Sequence, residues 1–179
     1  MVLVSAIAIA TGCGGGGGGG ITVPQSDGTP PSLTLQAGAA NGPTASVTAG
    51  AAAATMTLPS RSGALNMSAS ARDPDSGVRT VRVIVDKSVT ECAGGSCTTT
   101  NPGLASRPAL ESTGPARQPG DTVSESSVLL SSIDLTQEIP QTPPGAGATR
   151  TVTFRMTARA INHLGGTSLT PALTVTWRE

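Results

Sequence analysis

Three cysteines, one histidine and two small sets of charged residues carry the side chains most able to do chemistry in this chain. Cys92 and Cys97 are separated by Ala93-Gly94-Gly95-Ser96, small and flexible enough for the two thiols to meet. A disulfide, a redox pair and half of a metal site all begin this way. Two thiolates alone fall short of the ligand set of a structural zinc site, and His163, the sole imidazole, lies far along the chain. Asp73 and Asp75 flank Pro74 and are the one acidic pair placed to share a hard cation. Calcium takes about six to eight oxygens, and this corner offers two carboxylates and a few carbonyls. The plainer role is a turn: Asp73 opens it with its own side chain, and Gly77 supplies a positive φ. Enzyme motifs are missing. There is no G-x-S-x-G elbow, no H-E-x-x-H and no P-loop, and a Ser-His-Asp device would have to use His163. Asp134 and Glu138 show no sign of a cleft between them. Non-enzymatic chemistry with no cofactor and no committed metal is the expectation.

The third cysteine is placed differently. Cys13 closes the apolar run Val2-Leu3-Val4-Ser5-Ala6-Ile7-Ala8-Ile9-Ala10 through Thr11 and Gly12, and opens the tract Gly14 to Gly20. The run is about half of the ~20 residues needed to span a bilayer as a helix. Apolar segment, small residues, cysteine and then flexible chain resembles a bacterial lipoprotein signal. That resemblance implies cleavage before Cys13, a diacylglycerol anchor on its thiol, and a place in the cell envelope. Gly14 after the cysteine implies the outer membrane by the usual sorting pattern. In that oxidising compartment Cys92 and Cys97 are left as a pair, and a disulfide becomes the expected state. The expected organisation is a signal peptide over 1–12, lipidated Cys13 and a tether over 13–31, and one domain over 32–179. As a coil the tether would hold its ends roughly 25 Å apart.

Composition narrows the partners. Eleven basic residues balance eleven acidic ones, so bulk electrostatics point to no nucleic-acid partner. Phe154 and Trp177 are the only aromatics, which predicts a lean core.

Alternation dominates the rest. In Thr151-Val152-Thr153-Phe154-Arg155-Met156-Thr157-Ala158-Arg159-Ala160 every second residue is apolar, so a period of two places Val152 to Ala160 on one buried face of a strand. Leu65 to Arg72, Val81 to Val85 and Leu173 to Arg178 follow the same rule, with Trp177 inward. Weaker candidates are Ser32 to Gln36, Ala53 to Leu58 and Val128 to Leu135. No segment has a convincing helical period. About seven short antiparallel strands predict an all-β sandwich. Glu91 to about Ser127, with Pro102, Pro108, Pro115 and Pro119, predicts a long irregular loop pinned at its start by the cysteines.

Ala69-Ser70-Ala71-Arg72-Asp73-Pro74-Asp75-Ser76-Gly77-Val78, followed by Val81-Arg82-Val83, resembles the second and third strands of bacterial immunoglobulin-like domains. Thr157 to Asn162 with Gly165 is similar to their penultimate strand and closing hairpin. The chain lacks their third-strand Trp, and Cys92 and Cys97 are too close in sequence to bridge two sheets. The resemblance implies a single immunoglobulin-like sandwich in which the third and last two strands share a sheet. Arg82, Arg155, Arg159 and Arg178 would then lie on one outer face among threonines. Arg forks suit phosphate and carboxylate, and Thr hydroxyls suit sugars, so an acidic envelope glycan, a lipid phosphate or another envelope protein is the implied partner. The functional expectation is a membrane-anchored envelope lipoprotein with a binding or structural module. A subunit of a secretion or surface-appendage complex is the first alternative, and a small anchored hydrolase the second.

Overall fold

A computed structural model describes residues 20–40, 42–106 and 108–179. The expected anchor, Cys13, lies outside the described residues. In chain order the strands are β1 (Gly20–Thr22), β2 (Ser32–Ala39), β3 (Thr44–Thr48), β4 (Ala54–Thr57) and β5 (Ala64–Arg72). Then come β6 (Val78–Ala93), β7 (Ser96–Thr100), β8 (Glu111–Thr113), β9 (Thr122–Ser124) and β10 (Ser126–Asp134). A single helical turn, α1 (Leu135–Glu138), leads to β11 (Thr149–Asn162), β12 (Thr167–Leu169) and β13 (Leu173–Arg178). The fold is an all-β sandwich, as the alternation predicted. One layer has the order β10-β5-β2-β3 and the other β4-β13-β11-β6-β7, with β8 on β6 and β12 on β11. β1 pairs β9 in a small separate ribbon.

Each layer turns the apolar half of its alternation inward. Leu33, Leu35 and Ala37 of β2 and Leu65, Met67, Ala69 and Ala71 of β5 meet Val152, Phe154, Met156, Ala158 and Ala160 of β11. Val81, Val83, Leu173, Val175 and Trp177 complete that core. Toward the β5–β6 corner the inward residues of β5 and β11 shrink to alanine, and Leu33, Leu35, Val81 and Val83 of the neighbouring strands lie opposite them.

Four expectations are corrected. Packed structure extends into the expected tether before Ser32, where β1 is paired and Val23 is buried. The strands are more numerous than seven, because short edge strands carry too few residues to show a period. One pair is parallel, since the chain crosses between layers after β3 and lays β4 along β13. The expected irregular loop over 91–127 contains β7, β8 and β9, each paired to a partner distant from the loop's own proline-rich sequence or, for β7, across a tight turn. Backbone pairing to β6 and, for β9, to β1 replaces the missing apolar pattern.

Cys92 and Cys97 are bridged, as expected. They face each other across the β6–β7 hairpin, with Cα atoms 4.0 Å apart. Gly94 and Gly95 form its two-residue turn with φ of 57° and 84°, which only glycine adopts readily at both positions.

Phe154 is fully buried at the centre of this lean core. Phe154→Ala should lower unfolding free energy by about 3–5 kcal/mol. Denaturant titration of both proteins, followed by circular dichroism, measures the loss; a loss below about 1 kcal/mol would contradict the central placement.

Candidate functional site

β6, β11 and β13 do share a layer, and its outer face presents Thr and Arg. Arg82 of β6 stands directly opposite Arg159 of β11. Like charges so placed destabilise a sheet unless something negative lies between or above them. Glu111 of β8 supplies part of that, 3.7 Å from Arg82, in an exposed contact worth little. Thr113 donates to Glu111 at 2.8 Å and holds it in place. Arg79, Thr80, Arg82, Glu111, Thr113 and Arg159 line a concavity of about 270 Å³ together with Ile161. Three arginines and one glutamate therefore line a small polar hollow, a composition suited to an anion.

Arg79 was not legible as part of this face. The register slips between Ile161 and Asn162, which pair with Thr80 and Val78, so Arg79 is the extra residue of a β-bulge. The bulge breaks the period of two and leaves both Arg79 and Thr80 outside, between buried Val78 and Val81. Arg155 and Arg178 are exposed on the same layer but join other surroundings. Arg155 pairs across from Asp86 and lines a separate concavity of about 560 Å³ under the 101–104 segment. Arg178 pairs with Thr151, near the opposite end of β11 from Arg159.

The Asp73–Asp75 corner is a hydrogen-bond hub. Asp73 is buried; its Oδ1 accepts from the backbone N–H of Asp75 at 3.1 Å and of Ser76 at 2.8 Å. Its Oδ2 accepts from Asn162 Nδ2 at 3.0 Å. That same nitrogen donates to Asp27 Oδ2 at 3.1 Å and Thr29 O at 3.3 Å, while Asn162 Oδ1 accepts from the N–H groups of Leu164 and Gly166. Asp75 is exposed and turns toward Thr29 instead. The two aspartates do not converge, and among the described residues no group of three or more His, Cys, Asp or Glu is arranged to hold a metal. Hydrogen bonds from Ser76 and from the Thr29 backbone hold the Asp27 carboxyl below its ordinary range. Sequence reasoning found Asp73 and Gly77, whose φ is 71°, but missed Asp27 and Asn162, which come from distant segments.

Asp134 and Glu138 do separate structural work. Asp134 caps α1, accepting from Thr136 N–H at 3.0 Å. Glu138 is buried against Lys87 at 2.6 Å and also accepts from the N–H groups of Ala105 and Ser106 and the Ser106 hydroxyl. Burial opposes its charge, but these donors win and its pKa falls. His163 is partly buried, its Nδ1 has no partner, and burial pushes its pKa down, reinforced by Arg79 and Arg117.

No family model matches this chain, and no curated protein is significantly similar to it.

Because Glu138 has a lowered pKa, its contribution to stability is complete above its ordinary value of 4.5 and is lost as pH falls through the folded value. Lys87→Ala leaves that carboxylate buried with its cation gone and should cost about 3 kcal/mol at pH 7. The gap to the parent protein should narrow below about pH 4.5, where Glu138 takes up a proton. Urea titrations at neutral and acid pH check both the size and the direction.

Proposed function

We propose that this chain is a bacterial envelope lipoprotein, held at the outer membrane through lipid on Cys13, whose immunoglobulin-like sandwich is a non-enzymatic binding module for anionic groups of envelope glycans. The binding part of the reading rests on the paired guanidinium groups of Arg82 and Arg159, with Arg79 beside them, over a small hollow with a single carboxylate. Such a cluster gains more from a bound anion than from water alone, and neighbouring Thr80 and Thr113 offer hydroxyls to a sugar. The anchored part rests on the apolar run, the small residues and the cysteine at positions 2–13. No helix among the described residues is long and apolar enough to cross a membrane.

The immunoglobulin-like assignment is supported by strand order. β2, β5 and β10 make one layer, and β6, β11 and β13 the centre of the other, while β4 runs parallel to the C-terminal strand at its edge. Gly14 to Gly19 would be the only residues between the lipidated cysteine and β1, reaching at most about 22 Å when extended. The module would then work close to the membrane surface.

Two measurements test the two parts. Intact-mass analysis of protein extracted from native membranes in detergent should show loss of residues 1–12 and added mass of a diacylglycerol and an acyl chain; a free thiol at Cys13 with an uncleaved N-terminus would refute the anchor. Replacing Arg82 and Arg159 together by Ser should reduce retention on immobilised anionic glycans by about tenfold or more, the loss expected for one or two charge-assisted hydrogen bonds. Unchanged retention would refute the binding face.

A further inference from the structure

β10 has a neighbour on one side only. β5 pairs it from Ser126↔Arg72 to Asp134↔Ala64 without a break, and among the described residues no strand pairs its other edge. Sheets protect such edges with charge, proline or a bulge, because unpaired N–H and C=O groups recruit another strand. From Ser126 to Ile133 this strand has no charged residue and no proline, and its register carries no bulge. Its outward side chains Val128 and Leu130 are 54% and 72% exposed, the latter the most exposed of the large apolar residues described. On the inward side the Ser131 hydroxyl is buried with no hydrogen-bond partner.

The sequence of the strand indicates what covers it. Ser126-Ser127-Val128-Leu129-Leu130-Ser131-Ser132 reads nearly the same in both directions about Leu129. We propose that β10 pairs antiparallel with β10 of a second copy of this chain, about a two-fold axis at Leu129. In that register Val128 meets Leu130 of the other copy on the outer surface, twice, and both apolar pairs leave water together. On the inner side Ser131 stands opposite Ser127 of the other copy, so that serine meets serine rather than an apolar side chain. A slip by one residue would turn the apolar pair against the opposite face, and a slip by two would set Val128 or Leu130 against serine. The four-stranded layers of two copies become one continuous sheet, while the Arg82–Arg159 hollow belongs to the other layer.

Sedimentation equilibrium of the full chain, carrying Cys13→Ser to remove intermolecular thiol chemistry, tests this across about 1 µM to 1 mM, where weak interfaces dissociate. The expected result is a shift from 17.6 kDa to twice that mass with rising concentration. A monomer throughout overturns the proposal. Leu130→Lys and Val128→Glu should each be monomeric with an unchanged circular dichroism spectrum, because both positions are exposed. A dimer that survives either substitution overturns it too. Mixed in equal amounts, the two variants should re-associate, since the register sets the introduced lysine of one copy against the introduced glutamate of the other. Failure of the mixture to associate overturns the register.

Discussion

The side-chain amide of Asn162 is the point on which one end of the sandwich depends. Its nitrogen donates to Asp73 from the β5–β6 corner and to Asp27 and Thr29 from the segment before β2, and its oxygen accepts from the hairpin that follows β11. Three segments distant in sequence thus share one planar group whose donor and acceptor sides are both used. The inward residues of β5 and β11 at this end are the small Ala71 and Ala160. Polar groups this buried are costly when unpaired, so a node that satisfies all of them selects one mutual arrangement of the three segments. The same arrangement sets the bulge at Val78–Thr80, and the bulge puts Arg79 beside Arg82 and Arg159.

A second polar contact governs the flank. Lys87 continues the inward parity of Val81, Val83 and Val85, and a lone ammonium there would be prohibitively desolvated. Glu138 neutralises it and, through Ala105 and Ser106, draws the proline-rich connection against β6. The segment has few apolar residues with which to fold, so its order comes from this carboxylate, from the Cys92–Cys97 bridge and from pairing to β6. Stability supplied this way is specific in geometry but sensitive to acid.

The two outer faces have different characters. The β4-β13-β11-β6 face is threonine and arginine, wet and cationic at one end. The β10 edge is unbroken, uncharged from Ser126 to Ile133 and apolar at its centre. A lean domain that buries its few large side chains inward keeps Val128 and Leu130 outside, although burying either would gain free energy. Their exposure coincides with the unpaired edge, whereas the other exposed large apolar residues described, Ile84 and Leu169, lie on the other layer.

Much of this architecture was legible in the chain. Period-two alternation located β5, β6, β11 and β13, placed Phe154 and Trp177 inside and put Arg82, Arg155, Arg159 and Arg178 outside, because a strand's side-chain direction is a local property of its backbone. Turn chemistry was equally local: Asp73 and Gly77 announced their corner, whereas the hairpin at Gly94-Gly95 lay inside what read as an irregular loop. Cys13 and the apolar run before it are likewise a property of sequence alone. Which strands adjoin was not local. The sequence could not say that Arg159 faces Arg82 while Arg155 faces Asp86, that a bulge adds Arg79, or that Lys87 turns inward to meet Glu138 across fifty residues. Cross-strand register and buried charge pairing are settled by the free energy of the whole packed sandwich, where each polar group must find its partner before water is excluded.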